Sequence, residues 1–475
     1  MHLEIKENHK VAKKRDSFFM YFCVLTGNLL TLSLGASMSW TSPVLTKLSS
    51  NNTEINPLGR PITAAEVSML AGIPTFTSTF GLLITPKFSD IFGRKNFLLF
   101  CGVLMFLSGI GISFSGGNIA LMIITRCLFS FTEAYSVTSI YIAEITEDHN
   151  RGKWGCSLGI FQQMGHLFGY VIGPFFSIKY FSLIMTAPTL IFLVFFSMVP
   201  ETPIYLLIKG KENECKNSLR KLRSNKSEEE IELELKNMKE NLKKKGRKGN
   251  IVDLFKKREN VLALVFSFLP LLIKFSSGVT VIYAFLAPFF DQAGTSFLTG
   301  DMVAILIAVF KVTSYVLSSL AIEKFGRRNL FLISTTGTAL SLFFIGVYFF
   351  LQSINSSLLP YLQWLPLTGL ILTVSFFGIG LGPVPHLLTA ELPPVELRAT
   401  MAALVLSSGY VVVFVFTSLY PFVSEMYGNE WCVWWFSLNC AVGTILMYFF
   451  LPETKGKSLD EIQDMLKNYS ELKIR

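Results

Sequence analysis

The sequence predicts an all-α membrane protein: twelve transmembrane helices in two pseudo-symmetric six-helix halves, with a small cytoplasmic helical module between them. Three observations predict it. The 475 residues are 51% hydrophobic and 16% charged, against about 25% charged in a soluble domain. Apolar runs of about 20 residues, long enough to cross a bilayer as a helix, recur along the chain. A charged stretch also occurs twice, as "SDIFGRKNFLLF" at 89–100 and "AIEKFGRRNLFLI" at 321–333, its Gly-Arg pairs offset by 326 − 93 = 233 residues. That offset is about half the chain, the mark of an internal repeat.

The first span, near 18–40, follows the basic stretch "HKVAKKRDSFF". It has no small-residue cleavage site and eleven more spans follow, so it reads as a span and not as a signal peptide. The others fall near 63–87, 97–115, 119–142, 155–177 and 182–200, then 260–289, 299–321, 329–351, 361–388, 400–422 and 432–451. The net charge of +9 could suggest a nucleic-acid partner, but its placement argues against one. With these spans, Lys47, Arg60 and Lys179 lie on one side and Arg126, Lys274 and Lys311 within spans, while the remaining Lys and Arg lie on the other side. Such asymmetry places both termini in the cytoplasm. The glycosylation sequons at Asn51 and Asn355 then fall outside. The seven cysteines show no CxxC spacing, and neither a disulfide nor a metal site is expected.

The expected organisation is a cytoplasmic tail 1–17, a first six-helix half 18–202, a cytoplasmic helical linker 203–258, a second half 259–452 and a cytoplasmic tail 453–475. The linker is too charged to span a membrane. Within it Ile231, Leu235, Met238 and Leu242 recur at helical spacing, giving one apolar stripe that could dock under both halves. In the C-terminal tail Leu459, Ile462, Met465 and Leu466 form a similar stripe, expected to dock on that module.

Each repeated knot joins the second and third span of its half. Each half has another after its fourth span: Glu144 and Arg151 in "YIAEITEDHNRG", Glu391 and Arg398 in "LLTAELPPVELRA". The spacing is the same, 151 − 144 and 398 − 391 both being 7. Each half closes on an echo, "PETPIYLL" with Glu201 and "PETKGKSL" with Glu453. Matched halves of this kind occur in transporters that bind solute at mid-membrane between them.

These residues resemble the sugar porter family of the major facilitator superfamily. The marks are Asp90–Lys95 and its second copy with Glu323 in place of Asp, Arg126 opening span four, Glu144 with Arg151-Gly152, Pro200–Pro203, Gly380–Pro385 and Pro452–Gly456. The first span, "GASMSWTSPVL", looks most like the insect facilitated trehalose-transporter branch. The resemblance implies the twelve-helix fold and alternating access, with trehalose or a hexose as solute.

Several side chains follow as candidates. Guanidinium groups bind carboxylates bidentately and clamp helices. The expected cytoplasmic gate network is therefore Asp90, Arg94, Glu144, Arg151 and Glu201, with Glu323, Arg327, Glu391, Arg398 and Glu453, closed when the protein faces outward. Glycine and proline in "GIGLGPVPHLL" suit a bend in span ten.

The resemblance also places the solute ligands, and most have changed. Where relatives carry "QQLSGIN" in span seven this chain has "KFSSGVT", with Lys274 and Thr280. Lys311 takes an Asn or Gln position, His386 a Trp position and Gly409-Tyr410 an Asn-Trp pair. Gly159 takes a Gln position, with Gln162 and Gln163 one helical turn on. The candidate binding residues are thus Gln162, Gln163, Lys274, Thr280, Lys311, His386 and Tyr410.

A Lys at a span centre disfavours insertion by about 2.5–3.5 kcal/mol. The two lysines could pair with the intramembrane Glu133, accept an anionic or non-hexose solute, or serve as ordinary donors to a sugar or polyol. Proton-driven relatives place a carboxylate in span one opposite the span-four Arg. Here Arg126 has no such partner in span one, which favours facilitated transport, unless Glu133 carries the proton.

An enzyme is not expected. No HExxH is present, and "KGKS" at 455–458 lacks the first Gly of a P-loop because Leu451 stands there. A non-transporting solute sensor on the same fold is a further alternative. No cofactor is expected; the partners are a small solute, most readily a sugar, and the lipid of the plasma membrane. Oligomeric state is left open.

Overall fold

The computed structural model describes residues 17–147, 150–244, 251–295, 298–394, 396–457 and 459–472. Among them the regular elements are helices alone. Eleven helices or helix pairs are long and apolar enough to cross a membrane. Helix Arg151–Ile172 is a twelfth, made more polar by Gln162, Gln163 and His166.

The first half comprises Phe18–Leu48, Ala64–Phe92, Arg94–Ser113, Ile119–Phe131 with Ala134–Ile145, Arg151–Ile172, and Ile178–Met185 with Ala187–Phe196. The second comprises Arg258–Ser276 with Val279–Ala284 and Leu286–Asp291, then Gly300–Phe325, Arg327–Ser353, Leu365–Phe376 with Val384–Glu391, Arg398–Tyr427 and Asn429–Phe450. These are spans one to six and seven to twelve.

Local chemistry starts and stops them. Span two opens on a capping box in which Thr63 Oγ1 accepts from Glu66 N at 3.3 Å and Thr63 N donates to Glu66 Oε2 at 3.0 Å. Spans one and five pack backbone to backbone. A Cβ at Gly35 would lie 1.9 Å from Gln162 O, and one at Gly165 would lie 2.0 Å from Leu32 O. Small residues are the usual means of such approach between membrane helices, where close packing replaces the hydrophobic drive.

Among the described residues four spans are divided, span six at Thr186 between Met185 and Ala187 and three more sharply. Span seven breaks at Gly278, left-handed with φ 72°. Span ten makes a π turn at Phe377–Leu381 before resuming at Val384, in the bend that its Gly and Pro suggest. Span four departs from the sequence reading, which has it continuous. It breaks at Glu133, whose φ of 29° and ψ of 51° are left-handed for a residue with a side chain. No Pro or Gly announces this break. Span two makes room for it: at Gly81 a Cβ would meet Phe131 O at 2.4 Å.

The linker forms helices Pro203–Ile208, Glu212–Leu222, Glu228–Lys244 and Ile251–Lys256. Leu206, Cys215, Leu219, Ile231 and Leu235 make its own small core, with Met238 against it. It is fastened to the first half by Arg223, whose Nη1 donates to Ile145 O at 2.9 Å and whose Nε lies 3.3 Å from Glu147 Oε1. Its last helix serves the second half, where Leu254 is buried and Asn260 Nδ2 donates to Asp253 O at 3.0 Å. The tail helix Leu459–Leu472 docks elsewhere than its stripe suggests. Ile462 and Leu466 are buried in the second-half core and Gln463 Nε2 donates to Leu392 O at 2.8 Å, so it packs on the second half.

Candidate functional site

The two knots fold into the same device. Gly93 and Gly326 each end one span and start the next with φ of 96° and 82°, a turn open to glycine and strained for other residues. The turn aims the first backbone N–H groups of the new helix at one carboxylate. Arg94 N and Lys95 N both donate to Glu201 Oε1 at 3.1 Å; Arg327 N and Arg328 N donate to Glu453 Oε1 and Oε2 at 3.0 and 3.1 Å. A carboxylate at a helix N-terminus meets unpaired donors and the positive end of the helix dipole. Burial pushes the Glu201 carboxyl up from its ordinary range, and the N–H groups of Thr202, Lys95 and Arg94 oppose that push.

The guanidinium groups then reach the fourth and tenth spans. Arg94 Nη2 lies 2.8 Å from Asp90 Oδ1 and 3.2 Å from Glu144 Oε1. Arg327 Nη2 lies 2.9 Å from Glu391 Oε1. The second oxygen of each of these glutamates accepts a hydroxyl: Thr202 Oγ1 at 2.6 Å from Glu144 Oε2, Thr454 Oγ1 at 2.7 Å from Glu391 Oε2. Sequence reasoning missed both threonines, although each follows the Glu of its "PET" echo and was there to be paired.

All of these contacts lie within one half. Among the described residues these groups form no ion pair between the halves in this conformation. Arg151 and Glu323 have side chains outside the described set. Arg398 is half-buried with Nε and Nη2 buried and without a hydrogen bond.

The halves meet instead at mid-span and toward the end opposite the termini. Ser68 Oγ donates to Ser418 O at 2.8 Å, and Ala287 N donates to Ser42 Oγ at 2.9 Å. The rings of Phe76 and Phe414 lie 4.9 Å apart. Deeper in, Tyr170 OH donates to Tyr283 O at 2.7 Å and Tyr410 OH to Glu133 Oε1 at 3.3 Å.

At this depth the structure gathers most of the candidate binding residues. Lys274 Nζ donates to Gly382 O at 2.8 Å and lies 2.6 Å from His386 Nε2. An ammonium has donors only, so the imidazole nitrogen accepts. Gly382 follows the π turn of span ten, so Lys274 supplies a donor at the bend where the helix pattern changes. Lys311 Nζ sits 3.6 Å from the centroid of the Tyr283 ring, a cation–π contact. His166 Nδ1 lies 2.9 Å from Gln162 O, and its ring is 6.4 Å from that of Tyr283. Gln163 is buried with Oε1 unpartnered, while His386 is solvent-exposed.

Neither lysine pairs with Glu133, as the sequence allowed; Glu133 bonds Tyr410 instead. Thr280 is half-buried just past the Gly278 break, with no contact to the lysines described. Gln162 Nε2 is near Met38 Sδ at 3.7 Å. Tyr283 and Tyr170 were missed, since they read as ordinary apolar positions in spans. Arg126 is buried, its guanidinium carbon 4.7 Å from the Trp40 ring, with Nε and Nη1 unpartnered. Asn51 and Asn355 are exposed in loops at the end opposite the termini.

Comparison with solved structures shows the same fold. The inward open conformation of the xylose transporter XylE from E. coli matches with a TM-score of 0.76 at 20% identity, covering 94% of this chain and 99% of that one. Among sequences, the facilitated trehalose transporter Tret1 of Polypedilum vanderplanki is 26% identical over 438 residues, 91% of this chain and 85% of that protein. Tret1 of Apis mellifera ligustica is 26% identical over 467 residues, covering 98% and 91%. The family described as sugar (and other) transporter matches residues 21–466. This multi-pass membrane protein is therefore a transporter and not an enzyme, and it belongs to the sugar (and other) transporter family.

Proposed function

We propose that this chain carries a sugar of the trehalose or hexose class across the plasma membrane by facilitated, alternating-access transport, with both termini cytoplasmic. One observation carries the reading: the halves hydrogen-bond at mid-span and toward the end opposite the termini, with a polar cluster at mid-span that His386 leaves open to solvent. A site closed on one side and reachable from the other is what alternating access requires. The conformation is then inward-facing. The two terminus-side latches would meet when the halves tilt the other way and close the cytoplasmic gate, giving Arg398 Nε and Nη2 the acceptors that they lack among the described residues. Gln162, Gln163, Lys274, Lys311, His386 and Tyr410 contact the solute, with Thr280 beside them. The intramembrane Arg126 faces Trp40, and no carboxylate stands beside it among the described residues. That supports movement down a gradient without proton coupling. Asn51 and Asn355 would carry glycans on the outer face.

The test is uptake of radiolabelled trehalose, glucose and charged sugar derivatives into proteoliposomes. Equilibration without accumulation is expected, whether or not a proton gradient is imposed. Accumulation driven by the proton gradient would overturn the facilitated mechanism. No uptake of any sugar by folded protein would overturn the carrier reading.

A further inference from the structure

The mid-span cluster is built of basic side chains, and among the described residues no carboxylate pairs with them. Lys274 and Lys311 are 7% and 3% exposed. Each interacts electrostatically with the other, and His166 and His386 lie within the same field. Among the described residues neither ammonium has a carboxylate within ion-pair distance. Glu133, the intramembrane carboxylate at this depth, takes its hydrogen bond from Tyr410. Lys274 has acceptors in Gly382 O and His386 Nε2, which account for its role at the span-ten bend. Lys311 has no hydrogen-bond acceptor among the described residues, only the face of Tyr283.

An ammonium in an enclosed site is paired or gives up its charge, and an anionic solute would let both lysines keep theirs. A ring face returns to a cation less than a span-centre lysine opposes to insertion. A neutral hydroxyl accepts one hydrogen bond from Lys311 but leaves the repulsion between the two ammoniums in place. An anionic group relieves both. His386, exposed and touching Lys274, shows that solvent, and hence a polar solute, reaches this cluster.

We propose that the transported sugar bears a negatively charged group, a carboxylate or a phosphate, which Lys311 receives with Lys274 as the second cation. This rests on the sugar-carrier reading above and narrows its substrate to an acidic sugar. Gln163 Oε1, buried and unpartnered, and Tyr410 are left to meet the neutral hydroxyls.

The experiment is equilibrium binding to purified full-length protein, at two salt concentrations, of glucose, trehalose, glucuronate and glucose 6-phosphate, with acetate and inorganic phosphate alone as controls. An acidic sugar is expected to bind at least about tenfold tighter than glucose, as one added charge-assisted hydrogen bond gives; which acid binds separates carboxylate from phosphate. Lys311→Gln should bring the acidic-to-neutral ratio close to one, and Lys311→Arg should largely restore it. Should Lys311→Gln fail to fold, the wild-type ratio and Lys311→Arg still decide. A wild-type ratio near one, with glucose or trehalose bound, overturns the acidic-sugar inference and leaves the carrier reading standing. Binding of acetate or phosphate with no preference for any sugar overturns the carrier reading instead.

Discussion

Arg94 in the first half and Arg327 in the second hold the same kinds of partner, through the same atoms, but in different degrees of enclosure. The Arg94 and Glu144 side chains are 7% and 12% exposed; those of Arg327 and Glu391 are 17% and 19%. The first latch has a second carboxylate in Asp90, the Tyr205 ring 5.3 Å from its guanidinium, and the linker bolted beneath it through Ser218 Oγ to Glu201 O at 2.7 Å. The second has the tail helix nearby and more solvent. The mid-span cluster behaves in the opposite way. Both of its lysines come from the second half, and no lysine of the first half answers them. Repetition of sequence thus yields repetition of geometry at the terminus-bearing face, and asymmetry at mid-span marks where the halves have different tasks.

The comparison breaks most visibly with the arginines. Arg94→Ala leaves Glu144 enclosed without its cation, an arrangement that destabilises by about 3–5 kcal/mol. Arg327→Ala, nearer solvent, should lose roughly half as much, because screening weakens the exposed pair. Thermal unfolding of both in one detergent checks this; equal losses would show that enclosure does not separate the latches.

Gly93→Ala and Gly326→Ala come next. Both positions need a positive φ, and a Cβ would lie 2.3 Å from Glu201 Oε2 in one and 2.6 Å from Glu453 Oε2 in the other. Strain of this kind runs to about 1–3 kcal/mol. Here the halves should agree, since the turns are alike. A difference in unfolding midpoint larger than that between the arginine variants would show that the two turns are not equivalent.

The latches and the spans were legible because they rest on local chemistry. Hydrophobic length set the spans, and Gly-Arg, Glu and "PET" recurred in order. Span five was legible near 155–177 although Gln162, Gln163 and His166 make it more polar and its glycines pack on span one. The break at Glu133 was not legible. Its left-handed backbone depends on the space left by Gly81 of another helix, and no local residue type records that. The surroundings of Lys274 and Lys311 were left open among alternatives for the same reason. Charge complementarity suggested Glu133, whereas the bend in span ten presents a carbonyl and an imidazole to Lys274, and Lys311 meets the face of Tyr283.

Glu201→Gln and Glu453→Gln test the carboxylates that gather the backbone donors. An amide keeps one acceptor oxygen but loses the charge facing the helix N-terminus, about 1 kcal/mol in partly buried geometry. Because burial already pushes the Glu201 carboxyl up, its loss should fall at the lower end of that figure. A larger deficit for Glu201→Gln than for Glu453→Gln in the same unfolding assay would contradict this.

An effect of similar small size falls on the contact between the halves. Tyr410 OH bonds Glu133 across that boundary at 3.3 Å, a long bond whose removal costs about 0.5–1.5 kcal/mol. The bond exists between halves, whereas each latch lies inside one, so the two kinds of variant should be distinguishable by where the energy goes. Energy lost from a contact that only one conformation makes shifts the balance between conformations by the same amount, here about two- to tenfold. Energy lost inside a half in both conformations shifts stability and leaves the balance unchanged. Spin labels on the terminus-bearing ends of the two halves would report the separation directly. Tyr410→Phe should enlarge the population in which those ends approach, with little change in unfolding midpoint. An unchanged distance distribution would mean that the Tyr410–Glu133 bond is made in both conformations and holds neither in preference to the other.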